Sequence, residues 1–311
     1  MIAMNFFNPK ETTELFGHRE KFLFLRSLLL QNNLPNVLLI SGEKGIGKST
    51  LINHLMYFYF NKINYDENKN ILNSRDIFHR NFIDNIFPNI FYLNGNDFKR
   101  TKIEDIRKLK SDLLKKPINS LKRFIILDDV DSFNISSLNA LLKIIEEPSK
   151  NNYFILINNK SSPLPDTIKS RCLEIKLLLN DKERDSIISS LIEFFDQKTI
   201  IDKNLVKITP GNFLKFNYLL NEKKIDINDN FLINLNKILH LYKKEKSSFY
   251  KDLSIFLGEY FIQNKKCNNF IDDKNLIKSR SFLIKNINDF FVYNLNQNTL
   301  INSIEENFIN E

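Results

Sequence analysis

The sequence predicts an α/β fold, a parallel sheet covered by helices on both faces, followed by an all-helical C-terminal part. Three observations predict it. The runs 37-VLLI-40, 124-FIIL-127 and 153-YFILI-157 are apolar, of strand length and bounded by polar residues. Stretches with apolar residues at helical spacing separate them, and strands alternating with helices imply a parallel sheet buried on both sides. After 173-LEIKLLL-179 the strand pattern stops and only helical stretches follow.

Taken in order, 37-VLLI-40 runs straight into 41-SGEKGIGKSTL-51, and 51-LINHLMYFYF-60 continues at helical spacing. This reads as strand, loop, helix, with the loop at the carboxyl end of the strand. The stretch 134-NISSLNALLKIIEEP-148 predicts a helix with Ile135, Leu138, Leu142 and Ile145 on its buried face and Pro148 closing it. Further helices are expected at 182–195, 212–223, 231–244, 249–264 and 276–295. Boundaries fall near residues 179 and 225, where 224-KIDINDN-230 interrupts the apolar faces, giving segments 1–178, 179–225 and 226–311. No internal repeat is visible.

The chain has 311 residues, 42% of them hydrophobic, which is enough for more than one core. A formal net charge of +8 points to a polyanionic partner, nucleic acid first. Cys172 and Cys267 form no CxxC pair and the four histidines are scattered, so neither a zinc module nor a disulfide framework is indicated. The first twenty residues lack a basic stretch leading into an apolar core, and no run approaches the ~18 apolar residues that span a bilayer. A protein of the cytoplasm, away from membranes, is expected.

Chemistry concentrates in two places. Gly42 through Gly47, Lys48 and Ser49 match G-x-x-x-x-G-K-[ST], and three of the chain's seven glycines lie there. In such a loop backbone N–H groups surround phosphate oxygens, Lys48 neutralises the β- and γ-phosphates of ATP, and the Ser49 hydroxyl ligates magnesium. The second place is the tip of the 124–127 strand. Asp128 is positioned to meet the magnesium ion, and Asp129 stands where a glutamate would activate water, one methylene short of it. Asp131 reads as part of a solvated turn.

The segment 124-FIILDDVDSFNISSLNALLKIIEEPSKNNYFILINNKSSPLPDTIKSRC-172 resembles the core of bacterial clamp-loader ATPases of the AAA+ superfamily, most closely their delta prime type. NALLKIIEEP and LPDTIKSRC carry the resemblance, together with the phosphate loop and the upstream 87-FPNIFYL-93 and 103-IEDIRKLKSDLLKKP-117, over residues 10–178. It implies an AAA+ nucleotide-binding core over 1–178, a helical lid over 179–225 and a helical collar over 226–311. It implies that Gly42, Gly45, Gly47, Lys48, Ser49 and Thr50 line the site for ATP and Mg2+, with Asp128 on the metal. Asn158 or Asn159 would be the first sensor of the γ-phosphate. Arg171, in 170-SRC-172, would be an arginine finger reaching into a neighbouring subunit's site, a task suited to a planar, permanently charged guanidinium. The implied partners are gamma/tau and delta type subunits, the sliding clamp and primed DNA, within the DNA polymerase III holoenzyme.

Departures from that pattern shape the expectation. Asn212 stands where a second sensor arginine is expected, with Lys215 as a substitute, and the catalytic glutamate is Asp129. The 61–85 insertion lacks the cysteines of a zinc-bearing motor subunit. A subunit that binds ATP, hydrolyses it weakly or not at all, and acts through Arg171 is the expected function. The alternatives are a motor-type ATPase and a structural stator that binds no nucleotide. The segment 99–123 holds ten basic residues against three acidic ones. It suits either a DNA backbone or a solvated helix face. The 28 phenylalanines fall at core spacing and form no base-stacking platform.

Overall fold

The computed structural model describes residues 7–95, 103–115, 121–267 and 273–308. These divide into two compact units, one of residues 7–190 with 209–211, the other of 191–208 with 212–308.

The first unit is built on a five-stranded, wholly parallel sheet. Its strands are β1 (Val37–Ser41), β4 (Ile90–Asn94), β5 (Arg123–Asp128), β6 (Asn152–Asn158) and β7 (Leu173–Lys176), in spatial order β4-β5-β6-β1-β7. All residues of β1, β5 and β6 are buried, the near-continuous apolar pattern that a doubly covered sheet requires. Side chains alternate between two cores. Leu38, Ile40, Phe124, Ile126, Ile155 and Ile157 pack with helices α1 (Arg19–Leu30) and α2 (Lys48–Phe60). Leu39, Ile125, Leu127, Phe154 and Leu156 pack with α4 (Ile103–Leu114) and α5 (Ile135–Ile145). The hairpin β2 (Tyr65–Asp66) and β3 (Ile71–Leu72) and helix α3 (Ile77–Ile83) lie between α2 and β4 in the chain. A short helix, α6 (Asp166–Lys169), precedes β7, and α7 (Asp181–Phe194) follows it.

Several expectations shift. Helix α5 buries Leu138, Leu141 and Ile145, while Ile135 is 76% exposed and Leu142 only half-buried. The face is rotated because Asn134 caps the helix, accepting from Ser137 N at 2.8 Å, and leaves Ile135 at the solvated first turn. The strand expected over 173–179 ends at Lys176, since it is an edge strand whose ladder to β1 stops where Ser41 enters the loop. Of the basic segment 99–123, residues 99–102 and 116–120 lie outside the described residues. Within the rest, α4 buries Ile106 and Leu109 and exposes Arg107, Lys108 and Lys110.

The second unit is helical. Helix α8 (Pro210–Glu222) enters it, followed by α9 (Phe231–Glu245), α10 (Phe249–Cys267), α11 (Asp273–Tyr293) and α12 (Gln297–Phe308). Helix α10 packs on α9 and α11, and α12 on α9 and α11. Leu235, Ile238, Leu253, Leu257, Leu283, Ile287, Leu300 and Ile304 fill the space between them. No helix of the described residues is long and apolar enough to cross a membrane.

Candidate nucleotide site

The site begins where β1 stops. The chain turns at Gly42 and re-enters regular structure at Lys48, the first residue of α2. Gly45 and Gly47 have φ of 83° and 104°, backbone conformations that residues with a Cβ resist. The start of α2 adds unpaired N–H groups and the positive end of a helix dipole. Lys48 is 3% exposed, and its Nζ donates to the carbonyls of Gly42 and Glu43, each at 2.7 Å. Burial lowers its pKa to about 8 against the opposing pull of Asp128, Asp129 and Asp131.

Asp128 closes β5 and faces the loop. Its Oδ2 accepts from Ser49 Oγ at 2.8 Å and from the Tyr92 hydroxyl at 2.7 Å, while Oδ1 accepts from Asp129 N at 2.9 Å. Tyr92, whose stretch 87–93 shares in the resemblance but which no motif marks as a site residue, comes from the neighbouring strand β4. Asp129 adopts φ 56°, and its Oδ1 accepts from Asn159 Nδ2. Burial raises its pKa, and the Asn159 hydrogen bond works against that.

The two sensor candidates separate here. Asn158 ends β6 beside Ser41, and its Oδ1 accepts from Lys160 N at 2.8 Å. Asn159 reaches the acidic pair instead. Asp131 corrects an expectation, being 6% exposed and not part of a solvated turn. It accepts from Asn159 N at 3.1 Å, from Ser161 N at 2.7 Å and from the Ser161 hydroxyl, so it closes the 159–162 loop beneath Asn159. Thr50 is half-buried on the first turn of α2.

Arg171 stands apart from this cluster. Its guanidinium is held on Glu146, through Nη2 and through Nε at 3.2 Å, and Nη1 donates to Thr167 O at 3.0 Å. None of these partners belongs to the phosphate loop. Asn212 and Lys215 lie on α8, within the helical unit.

Three further contacts escaped the sequence. Thr209 Oγ1 donates to Lys44 O at 2.7 Å, Gly211 N to Gly45 O at 2.8 Å, and His18 Nε2 to Ile46 O at 2.8 Å. Three consecutive loop carbonyls are thereby engaged from outside. The donor set fits a magnesium nucleotide. A lysine, left-handed glycines and a helix start suit phosphate. One carboxylate and one hydroxyl suit a hard cation that takes its other ligands from phosphate and water. Among the described residues no group of three His, Cys, Asp or Glu forms a self-sufficient metal site.

Comparison with known proteins agrees with the resemblance read from the sequence. A family model described as DNA polymerase III, delta subunit, matches residues 17–180. The tau/gamma subunit of DNA polymerase III from Haemophilus influenzae is 29% identical over 208 residues, 64% of this chain and 28% of that protein. The delta' subunit from Buchnera aphidicola of Schizaphis graminum is 25% identical over 234 residues, 60% of this chain and 70% of that one. A solved gamma subunit-related protein from Thermotoga maritima aligns with 91% of this chain and 96% of its own, at 15% identity and a TM-score of 0.45. The chain spans less than half the length of the gamma and tau relatives it matches. Because the family model covers just over half of the sequence, including the phosphate loop and the Asp128 strand, the protein belongs to the DNA polymerase III delta-subunit family of clamp-loader proteins.

Proposed function

We propose that the protein is a delta prime-type subunit of the DNA polymerase III clamp loader, binding ATP with magnesium and contributing Arg171 to a neighbouring subunit's nucleotide site. The observation that carries this reading is the state of Asp129. It directly follows Asp128, where the resemblance expects a water-activating glutamate, is a methylene shorter than that residue, sits at φ 56° and is hydrogen-bonded to Asn159. A general base has to lie within hydrogen-bond reach of its water, and a displacement of about 1 Å costs about a hundredfold in rate. Binding without efficient cleavage follows. The loop, Lys48 and the Ser49–Asp128 pair keep what binding needs.

In this reading Lys48 leaves the carbonyls of Gly42 and Glu43 for phosphate oxygens, and Ser49 and Asp128 turn their oxygens to the metal. The magnesium ion would supply charge neutralisation between the phosphates. Arg171, engaged only outside the loop of its own chain, leaves Glu146 to meet the neighbour's γ-phosphate. The partners are gamma/tau and delta type subunits, the clamp and primed DNA, with residues 226–311 as the collar, 179–225 as the lid and the cytoplasm as the setting. A motor-type ATPase is the second reading, favoured by the matches to relatives named gamma and tau.

Equilibrium ATP binding and single-turnover hydrolysis decide between them, measured on the chain alone and mixed with the motor subunit. We expect the wild type to bind ATP without appreciable cleavage and Lys48→Ala to lose binding at least tenfold. Arg171→Ala should leave its own binding intact and slow the partner's turnover by about 10³-fold or more, the weight carried by arginine fingers. Rapid turnover by the isolated chain that disappears in Lys48→Ala would establish the motor reading.

A further inference from the structure

The loop carbonyls of Lys44, Gly45 and Ile46 accept hydrogen bonds from Thr209, Gly211 and His18, none of which is part of the phosphate motif. In a trans peptide unit the C=O and the following N–H point in opposite directions. Pinning the carbonyls of Lys44 and Ile46 therefore aims the N–H groups of Gly45 and Gly47 away from Thr209 and His18, toward the other side of the loop. Unpinned, a glycine-rich loop samples many orientations of these peptide units, and ordering it would be charged against phosphate affinity. Resting on the nucleotide-binding reading, we propose that Thr209 and His18 are positioning residues of the phosphate loop. Thr209 and Gly211, at the head of α8, and His18, just before α1, form a strap that presets the loop amides for an anion.

Two features make the strap specific. Gly211 approaches so closely that a Cβ there would lie 2.8 Å from the Gly45 carbonyl oxygen, so only glycine allows its N–H to reach that acceptor. The His18 ring is also packed near the loop, with Cδ2 3.6 Å from where a Gly47 Cβ would stand. Since Ile46 O can only accept, Nε2 of His18 carries the hydrogen.

The test uses Thr209→Val, which keeps shape and removes the donor, Thr209→Ser, which restores it, and Gly211→Ala, which pushes the strap off the loop. Amide hydrogen exchange of the full chain, without nucleotide, reads the loop at residues 43–48, and titration with Mg-ATP reads affinity. Thr209→Val should quicken loop exchange and weaken Mg-ATP binding by about fivefold each, the factor carried by one neutral hydrogen bond. Thr209→Ser should match the wild type, Gly211→Ala should exceed Thr209→Val, and melting of the nucleotide-free chain should drop in Thr209→Val by no more than the few degrees that one hydrogen bond carries. Unchanged loop exchange in both Thr209→Val and Gly211→Ala overturns the proposal, as does a Thr209→Ser variant as fast as Thr209→Val, because packing and not the hydroxyl would then be responsible. A wild-type chain that binds no Mg-ATP sinks the nucleotide reading alone. The exchange data still decide whether the strap orders the loop.

Discussion

Lys48 shows how a single buried residue ties the phosphate site to pH. Its ammonium sits in a loop that keeps it almost wholly from water, and burial lowers its pKa from 10.5 to about 8. Phosphate oxygens favour the charged form, so binding raises that pKa and takes up a proton. Mg-ATP affinity should therefore be flat below pH 8 and fall toward a limit of about tenfold per pH unit above it. The nucleotide-free fold moves the other way. Between pH 8 and 10.5 the unfolded chain holds more protons on this lysine than the folded one does, so Lys48 makes the fold more stable as pH rises. Calorimetry at pH 9 in buffers of different ionisation enthalpy checks the uptake, and binding with no proton linkage would mean that Lys48 does not meet the phosphates. The glycine-rich motif made Lys48 and Ser49 legible in the sequence, and the apolar run 124–127 did the same for Asp128. Tyr92, His18 and Thr209 were not, because each reaches its partner through space and no motif marks the side chain itself. Asp131 misled for a related reason. Turn composition suggests solvent, and only the fold supplies the Asn159 and Ser161 donors that bury it.

Among the elements, β5 and α4 show how a strand can anchor a helix at the end remote from the chemistry. Arg123 opens β5 and is 6% exposed. Its Nη2 donates to Leu113 O at 2.8 Å, Nη1 to Lys115 O at 2.8 Å, and Nε to Asn152 Oδ1 at 2.8 Å on the adjacent strand. Those carbonyls are the orphan acceptors at the end of α4, where a cation is also favoured by the helix dipole. Arg123 was counted in the sequence among basic residues available to DNA, and the structure spends it on this cap. Arg123→Met should cost about 2–3 kcal/mol in denaturant unfolding, since buried acceptors lose a charged donor. It should also speed exchange in the last turn of α4, and a loss within experimental error would show that water satisfies those carbonyls. The element order itself was readable where strands are buried on both faces. The edge strand β4 buries only Ile90 and leaves its other four residues half-buried, so no period of two stands out. The hairpin β2–β3 has two residues per strand, below any detectable period.

At the scale of the whole molecule, the separation of cores sets where a bound ligand can be felt. The sheet unit holds the loop, Asp128 and the strap residues 209–211, while the helical unit buries its own apolar set centred on Leu235, Leu257 and Ile287. A ligand that binds only the folded loop lowers the population of molecules in which the sheet unit is open by the factor 1 + [L]/Kd. At a hundredfold excess over Kd, amides of β1, β5 and β6 that exchange through opening of that unit should slow by about 100-fold. Amides in the middle of α9 and α10 should keep their rates if their exchange proceeds by opening of the helical core alone. Equal slowing in both sets would show that the two cores open together, making the chain one cooperative body whose helical unit reports ligand occupancy. Slowing confined to the sheet would mean that the helical core opens independently of the ligand, so occupancy of the loop is not felt there through opening.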